Sequence, residues 1–165
     1  MKKWFALYTK PRCEFKALEQ LTEIGIDVYL PTITTTKQWS DRKKKLKEPL
    51  FRGYIFICSN EIERNNAITR EAIIKTIFFD GKPAVIPNRE IENLKMFLEN
   101  PKNVVVFDGI TKGVIVQIES GPFKGVEGVV NSISKDENTL SISVEMLNRT
   151  VVAVIPSTTK VKRIN

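Results

Sequence analysis

Histidine is absent from all 165 residues. Its absence removes the imidazole base of Ser-His and Cys-His nucleophile pairs, and with it the commonest metal ligand. Cysteine is scarce too: Cys13 and Cys58 form no Cys-x-x-Cys pair and supply no disulfide framework. No apolar run approaches the roughly 18 to 20 residues that span a bilayer. The Lys2-Lys3 start is followed by an apolar stretch of only residues 4–8 before polar residues take over, too short for an export signal. Internal repeats and low-complexity tracts are also missing. These absences disfavour an enzyme, a metal or a membrane role and make the cytoplasm the default; we expect no cofactor and a monomer. Carboxylate or lysine chemistry is the one catalytic option they leave.

Basic residues, by contrast, are present in excess. The chain carries 26 Lys and Arg against 19 Asp and Glu, a formal charge of +7. Residues 37–47 (KQWSDRKKKLK) hold six basic side chains against Asp41, while the remainder of residues 1–100 is balanced and residues 112–165 are only slightly basic. A concentrated patch of this kind draws a polyanion by counterion release, with strong salt dependence and little sequence preference.

Patterning divides the chain in two. Residues 4–8 read as a buried aromatic strand, 14–24 as a helix with Leu18 and Leu21 on its apolar side and Gly25 at its end, and 26–30 as a second strand. Residues 32–48 suit an exposed hairpin or loop bearing the basic patch, and 50–58 a third strand. A short helix over 61–69 follows, then a strand over 73–79, the turn Asp80-Gly81, and a returning strand over 84–86. Asn88 caps a helix with Ile91, Leu94, Phe97 and Leu98 on its apolar face. This alternation predicts an α+β domain, an antiparallel sheet covered by helices, over residues 1–100. Residues 101–111 hold a proline and a glycine, lack helical periodicity and read as a linker. Five short strands punctuated by glycine then fill 112–165 (114–118, 126–133, 140–146, 151–155 and 161–164), the pattern of a small β-barrel.

Several stretches resemble a known family. WFALYTKPRCEFKALEQL, VYLPTI, QWSDRKKK and EPLFRGYIFI resemble the N-terminal domain of NusG transcription factors, and GVIVQIESGPFKGVEGVV resembles the KOW motif that opens the family's SH3-like barrel. Lys10-Pro11-Arg12 and the basic patch look most like the specialised paralogs, RfaH and the capsule-operon antiterminators. Arg52 departs from the proline of the family's LFPGY turn, and Val114 from the Gly-Asp that commonly begins its barrel. The resemblance implies an antiterminator that packs on the β′ clamp helices of RNA polymerase and contacts the non-template DNA strand. It also implies a KOW-domain partner, either a small-subunit ribosomal protein or the Rho terminator. In some relatives the barrel refolds into helices; the β-branched run Val151, Val152, Val154 and Ile155 argues for a permanent barrel here.

The resemblance assigns Tyr8, Leu30, Pro31, Phe51, Tyr54 and Phe56 to the polymerase-facing surface. Burial frequencies alone favour core positions for all six; the family match reverses that preference, because aromatics in such patches act as binding hot spots. Lys10, Arg12, Arg42, Lys43, Lys44 and Lys45 are candidates for phosphate contacts, with Trp39 as a base-stacking platform; a merely solvated loop is the competing reading. Arg64 and Arg70 occupy the stretch in which specialised relatives read bases. Gly121, Pro122, Phe123, Gly125 and Gly128 shape the KOW turn, and no Gly-Lys-Ser/Thr follows to make it a phosphate loop. The rival functions are a housekeeping NusG factor, a ribosome-associated KOW protein and a small carboxylate or lysine enzyme.

Overall fold

A computed structural model describes residues 1–99 and 104–164. The chain forms two compact units, Met1–Asn88 and Arg89–Asn165. The architecture is α+β with antiparallel sheets throughout.

In the first unit β1 (Lys3–Thr9) is central, flanked by β5 (Tyr54–Ser59) and β6 (Ile73–Thr76), with β2 (Asp27–Tyr29) outside β5. Its apolar run does not alternate because both faces are covered: residues 4–7 are all buried. Phe5 and Leu7 share one face with Ile55 and Ile57, packed with Ala17 and Leu21 of α1 (Glu14–Glu23) and Ala67 of α2 (Glu61–Ala67). The opposite face carries Trp4, Ala6 and Tyr8, with Phe56 beside Ala6 and Tyr54 beside Tyr8. Gly25 ends α1 at φ +75°, where the Ile26 N–H reaches the Leu21 carbonyl at 3.1 Å. Asn60 and Glu63 close a reciprocal capping box at the start of α2.

Three local expectations need correction. Residues 50–53 are not strand: the Tyr54 N–H turns back to the Phe51 carbonyl at 3.2 Å, with Gly53 at φ +82°, geometry that glycine alone adopts freely. The strand expected over 73–79 breaks at Ile77. Beyond it, β7 (Phe78–Phe79) and β8 (Lys82–Pro83) form a separate two-stranded ribbon across Asp80 and Gly81, both at positive φ, as a type I′ hairpin requires. The returning strand β9 (Val85–Ile86) pairs with β1. β3 (Thr32–Gln38) and β4 (Lys43–Pro49) make the expected basic hairpin.

The second unit is a six-stranded antiparallel sheet. Its order is β10 (Val105–Asp108), β14 (Arg149–Pro156), β13 (Glu137–Val144), β12 (Glu127–Ser132), β11 (Ile115–Ile118) and β15 (Val161–Arg163). Its buried residues include Ile118, Val126, Leu140, Ile142, Val151 and Ile155. β10 falls within the expected linker, whose residues 101–103 lie outside the described residues. Residues 104–107 (VVVF) are a short apolar, β-branched run, a strand signal that the neighbouring proline and glycine obscured. Helix α3 (Asn88–Leu98), expected in the first domain, groups from Arg89 onward with this second unit. Its Phe97 ring lies 5.2 Å from Phe123, and its Asn93 Oδ1 accepts the Glu127 N–H at 3.1 Å. Among the described residues no helix is long and apolar enough to cross a membrane.

Candidate interaction surfaces

Tyr8 and Tyr54 are directly opposite one another on β1 and β5, half-buried, with ring centroids 5.5 Å apart in an edge-to-face arrangement. The turn before β5 sets their position. Gly53 donates its N–H to buried Glu14 Oε1 at 2.8 Å and accepts the Thr9 N–H at 2.8 Å. A Cβ at Gly53 would stand 3.0 Å from the Tyr8 ring, so the tyrosine lies directly on glycine backbone. Lys75 is the cross-strand neighbour of Tyr8 on the other side and is exposed. Tyr54, Tyr8 and Lys75 therefore form one row on one face. Arg12, Glu14, Phe15 and Arg52 line a concavity of about 620 Å³ that opens beside Tyr8. Arg12 takes φ +62°, rare for a non-glycine residue.

The other four candidates of the polymerase-facing group are placed differently. Phe56 has no exposed area, Phe51 is 3 % exposed, and Leu30 and Pro31 are buried. Phe56 stacks on Tyr29 at 6.2 Å and meets Phe51 edge-on at 6.1 Å. These four side chains belong to the interior, not to the exposed tyrosine row.

The basic candidates separate by strand alternation. Lys43, Lys45 and Lys47 share one face of the β3–β4 hairpin with Gln38, Thr36 and Thr34. Lys44 is on the opposite face with Lys37, and there Glu48 takes Lys37 at 2.6 Å and accepts from Thr35 at 2.8 Å. Lys37 beside it holds the Glu48 carboxyl below its ordinary range. The Lys43 face is thus the uncompensated one, and Lys47, which the sequence reading left out of its contacts, belongs to it. Strict alternation through KKKLK was the available signal. Trp39 is half-exposed at the hairpin end, with the Lys44 ammonium 5.6 Å from its ring centroid. Arg42 is exposed beside Asp41 at 3.8 Å, and Lys10 is exposed.

Arg64 does not face solvent as a base reader would, and Arg70 is partly buried. Arg64 is only 6 % exposed, donates to Thr76 Oγ1 at 3.1 Å and lies 5.5 Å from the Phe5 ring centroid. Arg70 folds back on Asn66 and Thr69 at 3.3 and 2.9 Å. Among the described residues no cluster of three or more His, Cys, Asp or Glu is placed to hold a metal.

The family model described as "Transcription termination factor nusG" matches residues 2–95. The chain belongs to the NusG family. It is 23% identical over 161 residues to the transcription termination/antitermination protein NusG of Rickettsia typhi, covering 90% of this chain and 84% of that one. The NusG of Lactococcus lactis is 26% identical over 160 residues, covering 88% and 85%. Among solved structures, one described as domain interaction in Thermotoga maritima NusG matches the fold with a TM-score of 0.56 at 23% identity, covering 100% of this chain and 98% of that one.

In this NusG-family chain the residues expected to shape a KOW turn occupy turn and packed positions. Gly121 and Gly125 take φ of +82° and +92°, and Pro122 stands exposed between them. Phe123 is buried against Phe97. A Cβ on Gly128 would meet the Ser141 carbonyl oxygen at 2.5 Å, so only glycine lets β12 approach β13 so closely.

Proposed function

We propose that this NusG-family protein is a transcription elongation and antitermination factor that holds RNA polymerase at its β′ clamp helices and contacts the non-template DNA strand, acting at selected operons. The observation that carries this reading is the half-exposed Tyr8–Tyr54 pair, seated on the Gly53 backbone and flanked by Lys75. Rigid aromatics supported from behind bind at little entropic cost. A factor that prefers the closed clamp shifts the polymerase toward that state by its differential affinity, which suppresses pausing without chemistry of its own. The Lys43, Lys45 and Lys47 face supplies sequence-independent attraction for the displaced strand. The β-rich second unit is left for a separate partner, a small-subunit ribosomal protein or Rho.

The test is capture of core RNA polymerase by the purified protein and by Tyr8→Ala/Tyr54→Ala. Phe56 is unsuited to it, since truncating a fully buried ring would cost about 3 to 5 kcal/mol of stability. The tyrosine variant is expected to keep its fold by circular dichroism and to lose polymerase binding. Undiminished capture by that variant, or none by folded wild type, would overturn the proposal. Ribosome co-sedimentation without polymerase would then bring the KOW-protein reading forward.

A further inference from the structure

Phe78 and Phe79 are 58% and 64% exposed, adjacent on β7. Successive strand residues point to opposite faces, so each face of the β7–β8 ribbon presents one ring. Phe79 is paired across the ribbon with Lys82 and Phe78 with Pro83. The ribbon is held at its base by the Ile77 N–H on the Ala6 carbonyl and the Ala84 N–H on the Ile77 carbonyl, both 2.9 Å. It is held at its tip by the positive-φ pair Asp80 and Gly81. The two rings are therefore presented on a braced element, and core packing does not account for them.

The identity of the occupant follows from shape and charge. Rings on opposite faces make no continuous apolar patch, so a partner helix or a second copy of the chain would cover only one of them. Nucleobases are flat and stack on either face independently. Lys82 and Pro83 also line a concavity of about 420 Å³ together with Lys3, Arg64, Glu61 and Phe5. Three cations against one carboxylate give that hollow a positive balance, and Arg64 is already engaged with Thr76. Lys3 and Lys82 are exposed and take part in no ion pair among the described residues. An aromatic face with a free lysine beside it, leading into a basic hollow, matches the stacking-plus-phosphate chemistry of single-strand binding.

We propose that the β7–β8 ribbon is a stacking wedge for single-stranded nucleic acid, with unpaired bases on Phe78 and Phe79 and backbone phosphates on Lys82 and Lys3. This deepens the nucleic-acid half of the function proposed above and rests on that half alone, not on the polymerase contact. It also explains why Arg64 can be buried in a nucleic-acid-binding region: its stretch holds up the concavity, and the ribbon makes the contact.

The test uses the full chain and a labelled oligothymidylate of about 15 nucleotides, long enough for one site, with affinity measured across a salt series. Phe78→Ala/Phe79→Ala is expected to weaken binding about tenfold or more with the salt slope unchanged. Phe78→Trp/Phe79→Trp is expected to retain it. Lys82→Ala is expected to lower the slope by about 0.7, the single-strand value for one phosphate contact. Both rings are exposed, so thermal melting should be unaffected by their loss. Unchanged oligonucleotide affinity in the alanine variant overturns the wedge. Loss of core polymerase capture with oligonucleotide binding intact also overturns it and makes the ribbon a protein contact. Failure of the wild type itself to bind oligonucleotide would remove the nucleic-acid half of the proposed function along with the wedge, an outcome distinct from either.

Discussion

Gly53 links turn, strand and surface through one backbone position. Its φ of +82° lies in the region that L side chains avoid, its N–H is held by Glu14, and its missing Cβ leaves room for the Tyr8 ring. Gly53→Ala combines left-handed strain with a contact at 3.0 Å against a ring that can tilt. We expect a loss of about 1 to 3 kcal/mol in chemical denaturation, and weaker polymerase capture at a temperature where the variant is still folded. Stability loss with full capture would show that Tyr8 keeps its place without the glycine. Arg52, the residue before it, is exposed and leaves the Glu14 hydrogen bond to hold the Gly53 N–H.

At the scale of elements, the basic hairpin shows how much alternation decides. Six cations in residues 37–47 look like one undifferentiated patch in sequence, yet pairing sorts them into a free face and a partly neutralised one. Lys43→Ser/Lys45→Ser/Lys47→Ser should reduce the salt slope of single-strand binding by about 2, three contacts at the single-strand value. Lys37→Ser, already paired with Glu48, should change it little. Equal effects from both faces would mean that charge alone, without geometry, attracts the strand. The helices and most strands were legible because their signals are local: 3.6-residue periodicity over α1 and α3, glycine after α1, and Asp80-Gly81 at a hairpin. The breaks were not. The kink at Ile77, the turn over residues 50–53 and the pairing of β9 with β1 depend on partners far away in sequence. For the site, the family resemblance named the residues, and burial sorted them. Tyr54 and Phe56 are two apart on one strand, and only the tertiary packing of Phe51 and Tyr29 closes over the second and leaves the first half-exposed.

On the scale of the whole molecule, the excess charge and the aromatic surfaces lie in the first unit, while the second contains the group whose titration sets a pH dependence. Glu90 on α3 has Oε2 buried without a hydrogen-bond partner among the described residues. Burial is the main cause that raises its pKa to about 7, and the Glu145 carboxylate adds to it; the Glu145 backbone N–H and the Arg89 guanidinium oppose the rise less strongly. Below the unfolded value of 4.5 the carboxyl is protonated in both states and imposes no cost. Between 4.5 and about 7 the unfolded chain releases the proton and the folded chain keeps it, so stability falls as pH rises. Above that window the folded state bears the full cost of an ionised, poorly solvated carboxylate. The group is far from fully buried, and solvent screening reduces the effect to about 1 to 2 kcal/mol. Glu90→Gln keeps the shape and removes the titration. Its stability should be flat across the window and exceed that of the wild type at about pH 8 by about 1 kcal/mol, several degrees in Tm for a unit of this size. Parallel profiles for the two proteins would mean that α3 moves to hydrate the carboxylate rather than hold it against the Glu145 turn.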